Sequence, residues 1–386
     1  MNTRTEMDLL VTLIRGLAPE RAIGGDEWAA LIRLARRHNV LWVLQECIES
    51  LRIELPFVAN RRLLRAVRQD AGANLRRIHA LQVLLGAMAV ADVKVVPLKG
   101  PAMLERLFGD ASRRPCADLD ILIPLEGLER CNAVLTALGY EEEWLGEPYK
   151  WTWARGAIKI EVHSDFDERP VFDFPMTPVW ERVRACEFQG QPAWKMAADD
   201  ELIFLCLHAA KHQFDSLSLM VELQRAFAVL GEAMAGELPD SYQVRTVPGV
   251  VSLAKAMTER ALHEPIHFHV EVDTRVRWKI PAMVEQTWAA LLRQEATPKT
   301  RLGVYRFLRE LEPRRMACVM ALIKQSWMSI ERVSVDDIAM ANSLGLKSKW
   351  GQRSVRQIRL VGNTLRRCMG RKAMRRRSSA ISVTFR

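Results

Sequence analysis

The sequence predicts an α+β protein in which a few short strands lie between two helical segments. Along residues 1–88, apolar residues recur at three- and four-residue spacing, which is typical of helices with one buried face. From residue 93, short runs of strand length alternate with short helical runs. After residue 199 the helical spacing returns. Together these observations indicate a small sheet flanked by helices.

The first segment is predicted to be helical. Shorter helices are expected over Glu27–His38 and Val40–Leu51, followed by a long one over Arg61–Val90. The long helix carries an apolar stripe that is expected to be buried. Its members are Leu63, Leu64, Val67, Leu75, Ile78, Leu81, Leu84 and Leu85.

The middle of the chain is predicted to contain the strands. Val93–Leu98 precedes a short helix, Ala102–Phe108, and Leu119–Ile123 precedes the helix Leu128–Leu138, which Gly139 ends. Further strands are expected at Tyr140–Leu145 and Tyr149–Ala154 around a turn at 146–148, at Ile158–Ser164, and in a second hairpin, Val183–Phe188 with Ala193–Met196.

These patterns divide the chain into four predicted parts. A helical segment over residues 1–88 precedes a core over 89–170. A mostly helical accessory domain with a β-hairpin follows over 171–345, and a basic tail over 346–386 ends the chain.

Composition excludes several classes of protein. With 49% hydrophobic and 26% charged residues, the chain has the composition of an ordinary soluble globular protein. We find no apolar run long enough to span a bilayer. The seven cysteines are scattered and form no Cys-x-x-Cys, which argues against a zinc site or a disulfide framework. We therefore expect a cytoplasmic protein with no membrane span.

The net charge of +10 arises from the C-terminal end. Residues 341–386 contain 13 lysines and arginines and no aspartate or glutamate, whereas the rest of the chain contains 43 basic and 46 acidic residues. The densest basic cluster lies at Arg371–Arg377. Such a tail is either a solvated segment or a surface that attracts nucleic acid or another polyanion.

Two carboxylates, Asp118 and Asp120, lie where the strand Leu119–Ile123 begins. Side chains two apart on a strand point to the same face, so these carboxylates are expected to repel each other unless a cation joins them. Mg²⁺ is the expected cation, with Mn²⁺ as an alternative, because carboxylate oxygens suit it and it also binds substrate phosphates. The pair therefore predicts a metal site.

A third carboxylate, Glu161, lies on the strand Ile158–Ser164, whose residues alternate between apolar and polar. If this strand lies near Leu119–Ile123, Glu161 joins Asp118 and Asp120, and three acids suffice to bind two metal ions. One acid would then also serve as base for an acceptor hydroxyl. The alternative is a strand at the sheet surface with one face in water.

Cationic residues near the acids indicate a polyanionic substrate. Lys99 and Gly100 end a predicted strand, where the glycine lets backbone approach a phosphate and the following helix N-terminus favours an anion. Arg114 lies shortly before the acid pair. On a later helix, His208 and Lys211 either contact phosphate or serve packing and hydrogen bonding.

These motifs resemble those of the polymerase-β-like nucleotidyltransferase superfamily, and more narrowly those of a poorly characterised bacterial nucleotidyltransferase family. That family carries a Leu-Lys-Gly turn, Arg-Pro-x-x-Asp-x-Asp before a hydrophobic residue, and hydrophobic-Glu-hydrophobic-His. The matching segments are LKG at 98–100, RPCADLD at 114–120, IEVH at 160–163 and LHAAKH at 207–212. The superfamily at large has Gly-Ser or Gly-Gly at the nucleotide loop, where this chain has Lys99-Gly100-Pro101.

The resemblance implies an enzyme with a small mixed sheet. Its reaction would transfer a nucleoside monophosphate from an NTP to an acceptor and release pyrophosphate. The acceptor could be a protein, a peptide natural product, a tRNA or a small molecule. Alternatives are a non-catalytic nucleotide- or RNA-binding protein on the same fold, and a helical scaffold without a nucleotide site. The implied catalytic and metal-binding residues are Asp118, Asp120 and Glu161, and the implied nucleotide-binding residues are Lys99, Gly100, Arg114, His163, His208 and Lys211.

Overall fold

A computed structural model describes most of the 386 residues of the chain. No helix among the described residues is long and apolar enough to cross a membrane. Arg114 and the basic cluster Arg371–Arg377 lie outside the described part, so the predictions made for them stay predictions. The described residues are 3–113, 116–147, 149–166, 176–239, 242, 246–294, 304 and 307–312.

Four helices precede the sheet, and the fourth is the longest. It begins at Phe57, directly after Pro56 and four residues before the predicted start. Leu64 and Leu75 of the predicted stripe are 37% and 58% exposed, because they lie about a third of a turn around the helix from buried residues such as Leu81. The four helices are α1 (Thr3–Ile14), α2 (Gly25–Arg37), α3 (Leu41–Ser50) and α4 (Phe57–Val90).

Five strands form a mixed sheet in the order β1-β2-β5-β4-β3. The second and fifth strands pair in parallel, and the other neighbours pair antiparallel. The turn of the first hairpin comes later in the chain than predicted, because Glu147 already pairs with Lys150. The strands are β1 (Val96–Pro97), β2 (Leu119–Leu122), β3 (Glu141–Glu147), β4 (Lys150–Arg155) and β5 (Ile158–His163).

The remaining helices and a two-stranded hairpin surround this sheet. The structure confirms the α+β class and the mixed sheet, whereas the predicted domain boundaries stay predictions. These elements are α5 (Pro101–Phe108), a 3₁₀ turn (Leu125–Gly127), α6 (Leu128–Ala137), α7 (Met176–Arg182), β6 (Arg184–Phe188), β7 (Gln191–Lys195), α8 (Ala198–Lys211), α9 (Leu217–Ala233), α10 (Val247–Leu262), α11 (Thr274–Arg277) and α12 (Ile280–Leu292).

One face of the sheet forms the main core. Ile121 of β2 and Ile160 of β5 are fully buried in a cluster that also contains Leu84 of α4 and Leu135 of α6. Because residues alternate between the two faces of a strand, this burial leaves the polar residues of β2 and β5 on the opposite face. The candidate site lies there.

Candidate active site

The parallel pairing of β2 with β5 brings the predicted acids together. Asp120 and Glu161 are direct partners in the register of the two strands. Asp118 lies one residue before β2 and lines the same cavity as Asp120 and Glu161, whose charges both act to raise its pKa. All three predicted acids therefore lie in one cluster.

Asp120 is the most deeply buried of the three, with 2% of its side chain exposed. Lys99 places Nζ 3.0 Å from Oδ2 of Asp120, and His163 places Nε2 3.1 Å from Oδ1. Burial acts to raise the pKa of Asp120, but the positive charge of Lys99 and the hydrogen bond from His163 outweigh it and hold the pKa well below its usual range. Asp120 is therefore ionised at neutral pH.

Glu161 is surrounded by lysines. Lys150 places Nζ 2.6 Å from Oε2, and Lys159 places Nζ 3.4 Å from Oε1. Burial and the charge of Asp120 act to raise the pKa of Glu161, but the Lys150 ammonium outweighs both and lowers it. Lys150 was not among the predicted site residues, because its place opposite His163 depends on the register between β4 and β5.

Asp118 is only half-buried and has the opposite shift. Burial first, and then the charge of Asp120, raise the pKa of Asp118 to about 6, while Lys99 opposes the shift. A carboxyl group whose ionisation is disfavoured by a neighbouring carboxylate is one that a bound cation would bring back to the ionised state.

The donor set suits a divalent cation. Asp120, Glu161 and His163 each offer a ligand atom, and these atoms lie within 4.8 Å of one another. The low pKa of Asp120 and Glu161 keeps two hard carboxylate oxygens ready for Mg²⁺, and an imidazole nitrogen also suits Mn²⁺. His163 was predicted to contact nucleotide, and its Nε2 lies beside the two carboxylates, 3.1 Å from Oδ1 of Asp120.

The Lys99-Gly100 turn has a backbone conformation that favours glycine. Gly100 has φ +76°, in the left-handed region that disfavours side chains, and it immediately precedes α5. A Cβ atom there would meet Sγ of Cys116 at 3.5 Å and the carbonyl of Asp118 at 3.7 Å. The turn therefore packs directly against the segment that carries the acid pair.

A cavity of about 1050 Å³ opens beside the acid cluster. Such a volume is at the upper end of the range for small-molecule sites. The cavity collects residues from the sheet, from the turn before α5 and from α8. The predicted site residues that line it are Lys99, Gly100, Asp118, Asp120, Glu161, His163, His208 and Lys211.

Helix α8 supplies a cationic and aromatic wall of the cavity. Burial, and then the charges of Lys150 and Lys99, lower the pKa of Lys211 to about 7. His208 lies between two aromatic rings, with centroid distances of 6.2 Å to Phe204 and 4.5 Å to His212. Phe204 was not predicted to lie at the site, because its spacing along the helix is also that of an ordinary core residue.

His38 lies at another part of the cavity wall and should make folding depend on pH. It is 4% exposed, and neither ring nitrogen has a hydrogen-bond partner among the described residues. Burial first, and then the charge of Arg37, lower the pKa of His38 to about 4. In the unfolded chain the His38 ring takes up a proton near pH 6.5, whereas in the folded protein it stays neutral until about pH 4. The free energy of unfolding should therefore fall by up to about 3 kcal/mol as pH drops from 6.5 to 4.

Urea unfolding at several pH values checks this expectation. In His38→Phe, which cannot take up the proton, the loss of stability between pH 6.5 and pH 4 should be smaller than in the wild type. Equal pH dependence in the two proteins would show that His38 does not titrate in this way.

Comparisons with solved structures give weak likenesses to nucleotidyltransferases. The antibiotic-resistance factor ANT(2'')-Ia in solution has 12% identity and a TM-score of 0.33 over 42% of this chain and 87% of its own. Its crystal structure with adenylyl-2''-tobramycin has 13% identity and a TM-score of 0.34 over 47% and 98%. An antigenic nucleotidyltransferase-like protein from Paracoccidioides brasiliensis has 15% identity and a TM-score of 0.33 over 49% and 93%. No curated protein sequence matches the chain significantly.

A family model gives the more extensive match. The family described as "Uncharacterised nucleotidyltransferase" matches residues 24–237, which is more than half of the chain. This range contains β2 and β5 with their acids, the Lys99-Gly100 turn and α8. The chain therefore belongs to this nucleotidyltransferase family.

Proposed function

We propose that the protein transfers a nucleoside monophosphate from an NTP to an acceptor in a reaction that depends on divalent metal ions. One observation carries the proposal. Asp120 and Glu161 are paired across two parallel strands, beside Asp118, on the wall of a cavity large enough for a nucleotide. Membership of a nucleotidyltransferase family supports the reaction class.

The acid cluster would hold the metal. Asp118, Asp120 and Glu161 are the proposed ligands, with His163 in contact with Asp120. Bound there, divalent ions would neutralise the charge of the triphosphate and of the leaving pyrophosphate. The His163 ring holds the Asp120 carboxylate in a fixed orientation, which a second hydrogen-bonding group commonly does for a ligand.

The reaction itself would need mainly positioning. The acceptor oxygen attacks the α-phosphorus, the bond from this phosphorus to the oxygen that bridges to the β-phosphate breaks, and pyrophosphate leaves. A carboxylate of the cluster would accept the proton of the acceptor hydroxyl.

Phosphate contacts are proposed for the cations around the acids. Lys99 and Lys150 now neutralise Asp120 and Glu161, and both line the same cavity as Lys211. Gly100, Arg114 and His208 complete the proposed nucleotide site. With several cations in one cavity, the site favours a substrate that carries several negative charges.

Calorimetric titration tests the site before any acceptor is known. Each of the four NTPs is titrated into the protein with Mg²⁺, with Mn²⁺ or with a chelator. We expect at least one NTP to bind, and to bind more tightly with metal. If no NTP binds with either metal, the proposal is wrong. Binding without any transfer to a cell extract would favour the non-catalytic alternative.

A further inference from the structure

Helix α4 exposes a strongly basic face that the predicted site does not use. It contains Arg61, Arg62, Arg65, Arg68 and Arg76, all of which are exposed. We call these five residues the arginine face. These arginines do not appear in the net charge of the chain outside its tail, because acidic residues of other segments balance them.

The arginine face has no acidic partners within the described residues. The sole carboxylate of α4 is Asp70, and it pairs with Arg36 of α2 at 2.8 Å. Arg61 lies over the ring of Phe57 at 5.7 Å, and none of the five arginines makes an ion pair with a described residue. Five like charges on one helix repel each other, so this face gains from a partner that carries negative charge.

The dimensions and chemistry of the face suit a phosphate backbone. Arg61 and Arg76 are 15 residues apart, which on a helix is about 22 Å. A nucleic acid presents several phosphates per strand over that length. The residues are all arginine, whose planar guanidinium binds phosphate oxygens in pairs.

Exposed apolar side chains are scattered along α4. Phe57, Val58, Leu64, Leu75, Val83 and Val90 are 72%, 64%, 37%, 58%, 39% and 91% exposed. Apart from the adjacent Phe57 and Val58, successive members are separated by six to eleven residues, so they form no continuous apolar surface. A helix that lies on a membrane buries its apolar side in lipid, whereas the apolar side of α4 is already buried in the protein core, with Leu84 at 0% exposure.

Two contacts join other residues of α4 to the rim of the cavity. Arg77, next to Arg76, donates a hydrogen bond to the carbonyl of Ala117 at 3.3 Å, and Ala117 lines the cavity. Arg36, which pairs with Asp70 of α4, is followed by Arg37, another cavity residue. Arg77 therefore lies at the rim of the cavity, outside the arginine face.

We propose that the arginine face of α4 binds the sugar-phosphate backbone of a nucleic acid. Binding of this kind needs neither NTP nor metal, so it can be measured apart from the proposed function. The assay is fluorescence anisotropy of a fluorescein-labelled RNA hairpin, with a duplex DNA in parallel, in the presence of a chelator and over a range of salt concentrations.

The test variant is the full-length chain with Arg61→Gln, Arg65→Gln and Arg68→Gln. Glutamine keeps the helix propensity close to that of arginine, and circular dichroism checks the fold. The control removes three exposed charges elsewhere, by Arg184→Gln, Lys195→Gln and Arg277→Gln. Both variants keep the basic tail, so any contribution of the tail is the same in both.

The wild type should bind, and its affinity should fall steeply with salt. The test variant should lose about 2–3 from the slope of log affinity against log salt, since each phosphate contact contributes about 0.7–0.9. At about 0.1 M salt it should bind at least about tenfold more weakly than the control.

Three results would each overturn the proposal. The first is that the wild type does not bind nucleic acid, and the second is that the test and control variants have the same salt slope. The third is that the test variant binds nucleic acid as the wild type does but no longer binds vesicles of anionic phospholipid or poly-glutamate. A loss of NTP binding in calorimetry, by contrast, concerns only the proposed function.

Discussion

Replacement of Asp120 by asparagine should reduce nucleotidyl transfer about 1,000-fold or more. The change removes a metal-binding charge at nearly constant volume, and the loss of metal stabilisation in the transition state costs several kcal/mol, of which each 1.4 kcal/mol is a factor of ten. Asp118→Asn should have the same effect on turnover. A folded variant of either kind that retains more than a few per cent of wild-type turnover would contradict the assignment of these acids.

The two substitutions should differ in their effect on stability. Asp120→Asn takes the partner from Lys99, whose side chain is 19% exposed, and should lower the free energy of unfolding by about 1–3 kcal/mol. Asp118→Asn removes a carboxylate whose ionisation Asp120 disfavours, so stability should stay the same or rise slightly. Asp92→Asn, at a side chain that is 96% exposed, is the matched control and should change neither property.

Glu161→Gln should abolish metal-dependent NTP binding, whereas Asp165→Asn should preserve it. Both residues belong to the polar face that continues from β5, and both line the cavity. Only Glu161 has a ligand atom in the cluster with Asp120 and His163. The measurement is calorimetric titration of Mg²⁺ and NTP into both variants. Equal loss of binding would show that the wrong acid was chosen.

Local patterns in the sequence predicted the parts of the site that depend on one strand or one turn. The alternation along β5 predicted that Ile160 and Val162 face one side of the sheet while Glu161 and His163 face the other. Ile160 and Val162 are both fully buried in the core. A glycine at the turn before α5 was expected only to let the backbone approach a phosphate, and the structure adds that Gly100 has φ +76°, where a side chain is disfavoured.

Relations between distant segments were less accessible. The spacing of residues does not specify that β2 pairs with β5 in parallel, so the position of Glu161 beside Asp120 was conditional on a pairing that only the structure shows. The contact of Lys150 with Glu161 depends on the register of a hairpin. Leu64 and Leu75 were predicted wrongly. They are apolar residues at helical spacing and were expected to be buried, but they are exposed.

One labelling experiment tests the central claim most directly. The protein, Mg²⁺ and a cell extract are incubated with the four NTPs, labelled either on the α-phosphate or on the γ-phosphate, and Asp120→Asn is the control. We predict that α-label becomes attached to an acceptor and γ-label is released as pyrophosphate, in the wild type alone. Transfer of γ-label to an acceptor, or equal attachment of α-label by wild type and variant, would contradict nucleotidyl transfer at this site.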